Sequence, residues 1–335
     1  MHLARRSFLT GLGAFSAGAL IRPAQGAAPA YRIDIHHHMF PPSYTAAIVA
    51  RGEASSPSWT PAQSIEEMDR SGIATSVLSL SPPNVVFPDA AFARRLAREV
   101  NDYGAKLARD YPGRFGLFAV LPLPDAEGSL HEIEYALDTL KADGIGLMTS
   151  YGGQWLGDAA FAPVWEELNR RKAVVYTHPL TPACCTNLKY GVPAVDIEWA
   201  TDTTRTVASL VFSGTAARYP KIRWIFSHGG GTMPFLMSRF LYEEKTMKER
   251  DKRLPRGLLY ELQKFYYDTA QANHPGALAA LLKIVTPSQM LFGTDFPYRT
   301  GAEVIGGLAA QRFAAQELRA IERDNAMKLL PGLKA

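Results

Sequence analysis

The sequence predicts an α/β protein folded as a single (β/α)8 TIM barrel, with long loops over the carboxyl ends of its strands. Short apolar runs typical of buried strands alternate with segments of helical periodicity along the chain. These runs are continuously apolar, as expected where helices cover both faces of a parallel sheet. Eight such repeats favour a closed barrel over an open sheet.

Each element is predicted from its own residues. The segments 89–109 and 129–140 place apolar side chains at helical spacing, whereas Ala-Val-Val-Tyr-Thr-His at 173–178 is rich in residues that favour strands. The predicted strands cover residues 33–38, 74–80, 115–120, 145–148, 173–178, 222–228, 265–268 and 289–293. The predicted helices cover residues 65–70, 89–109, 129–140, 161–170, 203–217, 234–250, 276–284 and 317–330.

Two long segments that contain prolines interrupt this alternation. Residues 40–61 and 179–193 show no helical or strand periodicity, and each follows a predicted strand. Long loops of this kind are usually functional. We therefore predict that both are irregular loops over the site. A Gly-containing connection precedes the last predicted helix.

The composition suits a globular enzyme with a large core, because 47% of the 335 residues are hydrophobic and 20% are charged. The net charge is +4, but residues 1–28 contain Arg5, Arg6 and Arg22 and no acidic side chain. The rest of the chain is therefore close to neutral. This balance predicts no basic face for nucleic acid and no charged tail.

The first 28 residues resemble a twin-arginine signal peptide. Arg5-Arg6-Ser7-Phe8-Leu9-Thr10 precedes an apolar stretch at 11–21, and small residues suited to cleavage follow at 22–28. The apolar stretch is too short to span a membrane, which takes about 17–25 residues. We therefore expect an exported or periplasmic protein whose barrel occupies residues 29–335, without a membrane span. An uncleaved tail or anchor is the alternative.

The only two cysteines, Cys184 and Cys185, are adjacent. Neighbouring residues cannot meet ordinary disulfide geometry without strain, so the sequence predicts no disulfide framework. We interpret them as two small residues in a loop, with a strained vicinal disulfide or a redox role as the alternative.

Candidate metal ligands stand at the ends of four predicted strands. His36 and His38 lie two residues apart, so their imidazoles share one face of the first strand. His178 and His228 close the fifth and sixth strands, and Asp295 follows the eighth. Since the carboxyl ends of barrel strands meet at one rim, these side chains are candidates for a common site.

Four motifs resemble those of the amidohydrolase-2 group of the amidohydrolase superfamily. They are Asp34-Ile35-His36-His37-His38, Tyr176-Thr177-His178-Pro179, Ser227-His228-Gly229-Gly230-Gly231 and Gly293-Thr294-Asp295-Phe296-Pro297. The resemblance is to the branch of aminocarboxymuconate semialdehyde decarboxylase, and most of all to its 6-methylsalicylate decarboxylase subgroup. It implies a barrel that binds one divalent ion, Zn or Mn, through His36, His38, His178 and Asp295. The fourth strand ends Gly146-Leu147-Met148-Thr149 and lacks the acid or lysine that would bridge a second ion.

The same resemblance implies non-oxidative decarboxylation of an aromatic or unsaturated carboxylic acid. His228 corresponds to the acid/base of that family, and we expect Asp295 to donate the proton with help from His228. One barrel supports several chemistries, so a metal-dependent hydrolase of a lactone or amide is the alternative. A second alternative is an exported metal-binding or ligand-carrying protein without catalytic activity.

An acidic substrate needs a cationic partner. The resemblance implies that Arg239 reaches the pocket of a neighbouring subunit, and hence a homodimer, although a solvent-exposed helix arginine is the alternative. Arg51 is a second candidate for substrate binding. We expect Arg205 to form a buried ion pair, and His37 to pack towards the helices. Asp34 is placed on the face of His36, where it either orients a ligand or forms a structural hydrogen bond.

Overall fold

The computed structural model describes residues 31–52, 57–188 and 191–333. The predicted signal peptide, residues 1–28, lies outside the described residues. Ten strands are present among the described residues, and they include all eight strands of the predicted barrel. The strands are β1 Arg32–His38, β2 Ile73–Ser79, β3 Phe115–Val120, β4 Gly144–Met148, β5 Ser150–Tyr151, β6 Gln154–Trp155, β7 Val174–His178, β8 Arg223–Phe226, β9 Tyr266–Asp268 and β10 Met290–Leu291.

Eight of these strands form one parallel sheet in the order β1-β2-β3-β4-β7-β8-β9-β10, and β5 and β6 form a separate antiparallel hairpin. Backbone hydrogen bonds bring the last strand back to the first. The amide of Ile35 donates to the carbonyl of Phe292 at 3.0 Å, and the amide of Asp295 donates to the carbonyl of His36 at 2.8 Å. The predicted (β/α)8 barrel is therefore confirmed.

Helices cover the outside of the sheet, and several begin at a capping side chain. Thr60 and Asp89 accept hydrogen bonds from the amides of Gln63 and Phe92, which satisfies backbone donors that the first helical turn leaves free. The helices are α1 Pro42–Ala50, α2 Pro61–Ser71, α3 Ala90–Asp110, α4 Ala126–Glu134, α5 Ala162–Arg171, α6 Glu198–Phe212, α7 Thr215–Arg218, α8 Met237–Thr246, α9 Arg250–Arg253, α10 Leu258–Leu262, α11 Pro275–Leu281, α12 Gly301–Ala310, α13 Ala315–Arg319 and α14 Asn325–Leu329. Among the described residues, no helix combines the length and apolarity needed to cross a bilayer.

Two helices occupy segments that the sequence predicts as an irregular loop and as a connection. Helix α1 starts directly after Pro41, with Pro42 in its first turn where a missing amide is tolerated, and it buries Tyr44. Helix α12 contains Gly306 and Gly307, which weaken the helical signal. A Cβ on Gly307 would stand 2.4 Å from a backbone oxygen, so this glycine allows a close helix contact that spacing alone does not indicate.

Strand β1 departs from simple alternation, and this corrects the predicted position of Asp34. Its register with β2 is irregular between Asp34 and His37. Asp34 Oδ2 accepts a hydrogen bond from His37 Nδ1 at 3.0 Å, so these two side chains share the helix-facing side. Ile33 and Ile35 instead join a buried apolar cluster with side chains from five other strands. An irregularity of this kind re-aims side chains beside a site.

Candidate metal centre and active site

The structure brings the four predicted ligands together at one end of the barrel. His36 and His38 close β1, His178 closes β7, and Asp295 follows β10; their exposed fractions are 2% or less. The Nε2 atoms of His36 and His38 lie 3.2 Å apart, and Asp295 Oδ1 is 3.1 and 3.0 Å from them. With one atom from His178, the four potential ligand atoms all lie within 4.8 Å of one another. Three imidazoles and a carboxylate so arranged match a site for a divalent ion.

The far nitrogen of each imidazole is held in a way that fits metal binding. His36 Nδ1 contacts Asp268 Oδ2 at 2.8 Å, His178 Nδ1 contacts the carbonyl of Pro179 at 2.8 Å, and His38 Nδ1 lies 3.3 Å from Ser79 Oγ. Because a carboxylate and a carbonyl only accept hydrogen bonds, Nδ1 of His36 and of His178 carries the proton. Each Nε2 can then present a lone pair to the centre.

His178 supplies the most direct test of this fit. Its Nε2 atom is buried, and no described residue forms a hydrogen bond to it. An unpaired buried acceptor is costly in a folded protein. A cation held by His36, His38, His178 and Asp295 would satisfy this atom, so the donor set fits the implied metal.

The protonation states of the ligand side chains depend on one another. Burial disfavours the charged form of His36, but the carboxylates of Asp268 and Asp295 outweigh it and raise the pKa of this imidazole to about 10. Burial would raise the pKa of Asp295, yet the charge of His36 and contacts with three histidines hold it well below its usual range. Burial also lowers the pKa of His178 well below its ordinary value. A divalent ion must therefore displace a proton from His36.

His228 stands beside the four ligands, on a turn that a glycine run makes possible. Its Nε2 lies 3.5 Å from Asp295 Oδ2, and its backbone amide donates to Asp268 Oδ1 at 2.8 Å. Gly231 has φ +69°, and a Cβ there would stand 1.9 Å from the carbonyl oxygen of Ala200. The turn therefore needs glycine, and it holds an imidazole where a proton can be exchanged with Asp295.

Three further residues also hold the site, and two of them, Asp268 and Gln271, lie outside the four motifs. Asp268 orients His36 and the backbone of His228 at once. Gln271 donates a hydrogen bond from Nε2 to Asp295 Oδ2. Asp34 accepts hydrogen bonds from the backbone amides of His36 and Thr294 at 3.0 Å each. It therefore joins the end of β1 to the segment that carries Asp295. The polar side chain at the end of β9 was the one sequence signal for Asp268, and none indicated Gln271.

Two cavities share Trp199 as a lining residue, and His228 lines one of them. The indole of Trp199 lies 5.6 Å from the imidazole of His178, and its Nε1 donates to Thr181 Oγ1 at 2.9 Å. The cavity on the His228 side measures about 220 Å³ and has largely apolar walls; it is lined by residues including Trp199, Phe235, Gln271, Ala272 and Leu281. The second cavity measures about 450 Å³ and is lined by residues including Arg51, Pro82, Tyr151, Leu180 and Trp199.

Neither Arg51 nor Arg239 lines the cavity beside His228. Arg51 borders the larger cavity and donates from Nη1 to the carbonyl of Val86 at 2.6 Å. Arg239 lies on α8 with an exposed side chain and lines neither cavity. The expectation of a buried ion pair for Arg205 is wrong, because this side chain is exposed and its guanidinium carbon lies 5.9 Å from the ring centroid of Trp155.

His37 packs towards the helices as predicted, with Nε2 2.9 Å from Ser64 Oγ on α2.

Comparison with known proteins agrees with this geometry. A family model described as Amidohydrolase matches residues 33–332. A decarboxylase of Aspergillus niger is 38% identical over 327 residues, covering 90% of this chain and 87% of the relative. A 6-methylsalicylic acid decarboxylase of Aspergillus aculeatus is 35% identical over 322 residues, covering 90% and 97%. A solved amidohydrolase II superimposes with a TM-score of 0.84 at 30% identity, covering 90% of this chain and 99% of the other.

Proposed function

Because this chain belongs to the amidohydrolase family, we propose that it is a metal-dependent carboxy-lyase that decarboxylates an aromatic carboxylic acid without an oxidant. The observation that carries the proposal is the convergence of His36, His38, His178 and Asp295 beside His228. Relatives whose names record decarboxylation align with nine-tenths of the chain. Fold alone would not select this chemistry, since one barrel supports many reactions.

His36, His38, His178 and Asp295 would hold one divalent ion. When bound, such an ion would supply positive charge that attracts the acidic groups of the substrate and offsets their negative charge. Four protein ligands complete the usual shell of Zn, whereas Mn accepts more oxygen ligands. We therefore favour Mn over Zn, and reconstitution of chelator-treated protein with each ion separates the two.

The two oxygens of Asp295 have different neighbours, and this suggests a division of work. Oδ1 faces the imidazoles of His36 and His38 at 3.1 and 3.0 Å, whereas Oδ2 faces His228 at 3.5 Å and accepts a hydrogen bond from Gln271. We assign to Oδ2 the delivery of a proton to the ring carbon that carries the carboxylate. His228 lies close enough to exchange that proton.

The charge state of Asp295 sets the source of the proton. Its pKa lies well below the usual range, because the charge of His36 and hydrogen bonds favour the ionised form over the effect of burial. The resting carboxylate therefore carries no proton and must receive one from His228 or from the hydroxyl of the bound acid. The new carbon–hydrogen bond then forms as the carboxylate leaves as carbon dioxide and its bonding electrons return to the ring.

A 6-methylsalicylate-like acid is the substrate we propose. A relative of that name is 35% identical to this chain, and the cavity beside His228 has largely apolar walls suited to a substituted ring. Arg51 lines the second cavity, and we propose that it binds the carboxylate of the incoming acid before the acid reaches the ion.

Carbon dioxide release from a panel of hydroxybenzoates tests the function. Metal-loaded protein should convert 6-methylsalicylate to 3-methylphenol fastest, and benzoates without an ortho hydroxyl should react least. In water enriched in ¹⁸O, the phenol should gain no label. Labelled oxygen in the organic product would show hydrolysis instead, and no turnover of any acid in the panel would contradict the proposal.

We further propose that two copies of the chain form a homodimer and that Arg239 of one copy approaches the pocket of the other. Arg239 is exposed on α8, near the highly exposed Phe235 at the rim of the cavity beside His228. Mixing a His228→Asn chain with an Arg239→Ala chain tests this arrangement. Activity should reappear in the mixture if the arginine acts across subunits, and it should stay at the sum of the separate proteins if it does not.

The twin-arginine-type segment leads us to propose export to the periplasm as a folded protein. Cell fractionation followed by N-terminal sequencing tests this. We expect a mature chain that starts after the small residues at 22–28, and that changing Arg5 and Arg6 to lysine retains the precursor in the cytoplasm. An intact N-terminus in the cytoplasmic fraction of cells with a working export system would contradict it.

A further inference from the structure

The loop that leaves metal ligand His178 carries two adjacent thiols. Cys184 and Cys185 are free, and their Sγ atoms lie 3.0 Å apart in a short 3-10 turn, Ala183–Cys185. Cys184 is exposed and Cys185 partly exposed. Both sulfurs therefore lie side by side where a solute can reach them.

The thiols open onto a third cavity, outside the barrel. It measures about 790 Å³ and is lined by residues including Cys184, Cys185, Glu198, Asp202, Arg205 and Phe212. Glu198 adds a carboxylate to the lining, whereas the carboxylate of Asp202 already accepts hydrogen bonds from Trp155 Nε1 at 2.7 Å and from Thr149 Oγ1. Arg205 supplies one opposing charge. The two thiols are therefore the soft ligands that this cavity offers, with negative charge in the surrounding lining.

Backbone geometry disfavours a disulfide between these two residues. Neighbouring Cα atoms are about 3.8 Å apart across a trans peptide, whereas ordinary disulfides join Cα atoms about 4.4–6.8 Å apart. The thiols are also poor nucleophiles, because the hydrogen bond between Cys184 and Cys185 and the charges of Glu198 and Asp202 raise the pKa of Cys185. A redox sensor usually has the opposite feature, a lowered thiol pKa.

We propose that Cys184 and Cys185 form a second metal site, selective for a soft divalent cation such as Cd²⁺ or Hg²⁺. Two sulfur–hydrogen bonds break, two metal–sulfur bonds form, and two protons pass to the buffer without any change of oxidation state. The negative charge of Glu198 and Asp202 that opposes a thiolate favours a cation in its place. The site differs in ligand type from the imidazole and carboxylate centre.

This soft-metal site is connected to the catalytic face through a short path. Thr181, three residues before Cys184, accepts the hydrogen bond from the indole of Trp199, and Trp199 lies against His178. Trp199 also lines both cavities at the ligand rim. Occupation of the thiols should therefore shift the turn and raise the KM for substrate, an effect that rests on the proposed function.

Cadmium titration of the manganese-loaded, full-length chain tests the site directly. Thiolate-bound Cd²⁺ absorbs in the ultraviolet by charge transfer, whereas Cd²⁺ on imidazole and carboxylate does not, so the signal is independent of catalysis. We expect one absorbing ion per chain. Cys184→Ser and Cys185→Ser should each abolish the absorption, and Asn187→Ala, a change in an exposed neighbour of the same loop, should retain it.

Two results would overturn the proposal: absence of the charge-transfer band, or a band that survives loss of either cysteine alone. The coupling is tested separately by kinetics with manganese content monitored. Saturating Cd²⁺ should raise KM several-fold in the native sequence and leave the double Cys→Ser variant unchanged. An equal response of both proteins refutes the coupling, whereas failure of the proposed enzyme activity leaves the absorption test intact.

Discussion

The four metal ligands at the rim of the barrel and the loops around them differ in how firmly their side chains are held in place. At the rim, His36, His38, His178 and Asp295 are at most 2% exposed, and partners such as Asp268 fix their orientation. In the surrounding loops, Arg51 borders an open cavity and Leu188 is 52% exposed. Preorganised groups suit chemistry, and adaptable groups suit recognition. We therefore expect changes at the rim to affect kcat and metal content, and changes in the loops to affect KM.

Loss of a ligand should have the largest effect. His178→Ala removes one of the four atoms that converge on the ion, and its partners cannot replace it because they are already committed. We expect metal content and decarboxylation to fall to background, as measured by elemental analysis and carbon dioxide release. His131→Ala, on the exposed side of α4, is the matched control and should behave as the native protein. Retained metal in His178→Ala would remove this residue from the ligand set.

His228→Asn should separate catalysis from metal binding. His228 lies 3.5 Å from Asp295 Oδ2 but outside the four-ligand group. General acid–base groups usually contribute about 10²–10⁴ in rate, so kcat should fall by that factor. Metal content should stay at one ion per chain. A parallel loss of metal would instead make His228 a ligand.

Asp268→Asn should show how much the groups that orient the metal ligands contribute to metal affinity. Its carboxylate contacts His36 Nδ1 at 2.8 Å, and carboxylate–histidine pairs of this kind typically change metal affinity or activity by about 10–100-fold when mutated. Competition with a fluorescent chelator measures the affinity, and circular dichroism monitors the fold. An unchanged affinity would assign Asp268 to support of the His228 turn alone.

The pH dependence of metal affinity tests the charge of the rim. The pKa of His36 is raised to about 10, so below that pH the imidazole is protonated and a metal must displace the proton. Affinity should therefore rise about tenfold per pH unit between neutral pH and that value, since one proton leaves per ion. Proton release on adding metal to weakly buffered protein measures the same quantity. Binding without proton release would contradict the raised pKa.

Arg51→Ala should have the smallest effect, because it changes a residue outside the ligand group and should affect only substrate binding. A hydrogen bond to a charged group is worth about 1.5–3 kcal/mol, and an exposed arginine should lie at the low end, so KM should rise by about tenfold. Arg51→Lys retains the charge and should recover part of the loss. A fall in kcat at unchanged KM would move Arg51 into the catalytic machinery.

The same division explains how much the sequence could predict. His36, His38, His178, His228 and Asp295 each follow a recognisable strand, so their meeting at one rim follows from barrel topology. Contacts between distant elements could not be read in this way. Asp268 meets His36 across the barrel, and no local pattern links the two residues.

Most of the wrong predictions lie where a strand or a helix is locally irregular. The register shift in β1 turned Asp34 away from the predicted face, where it holds Thr294 instead. Proline hid the start of α1, and glycine weakened the signal of α12, because both residues lower helical propensity wherever they occur. Such segments depend on tertiary contacts that a single sequence does not display.

Stoichiometric reactivation tests whether one bound ion makes the chain active. Chelator-treated protein is titrated with Mn²⁺ while carbon dioxide release from 6-methylsalicylate is recorded. We expect no release at first, then a rate that rises linearly and reaches its plateau at one ion per chain. A rate independent of added metal, or a chain that stays inactive with the ion bound, would contradict it.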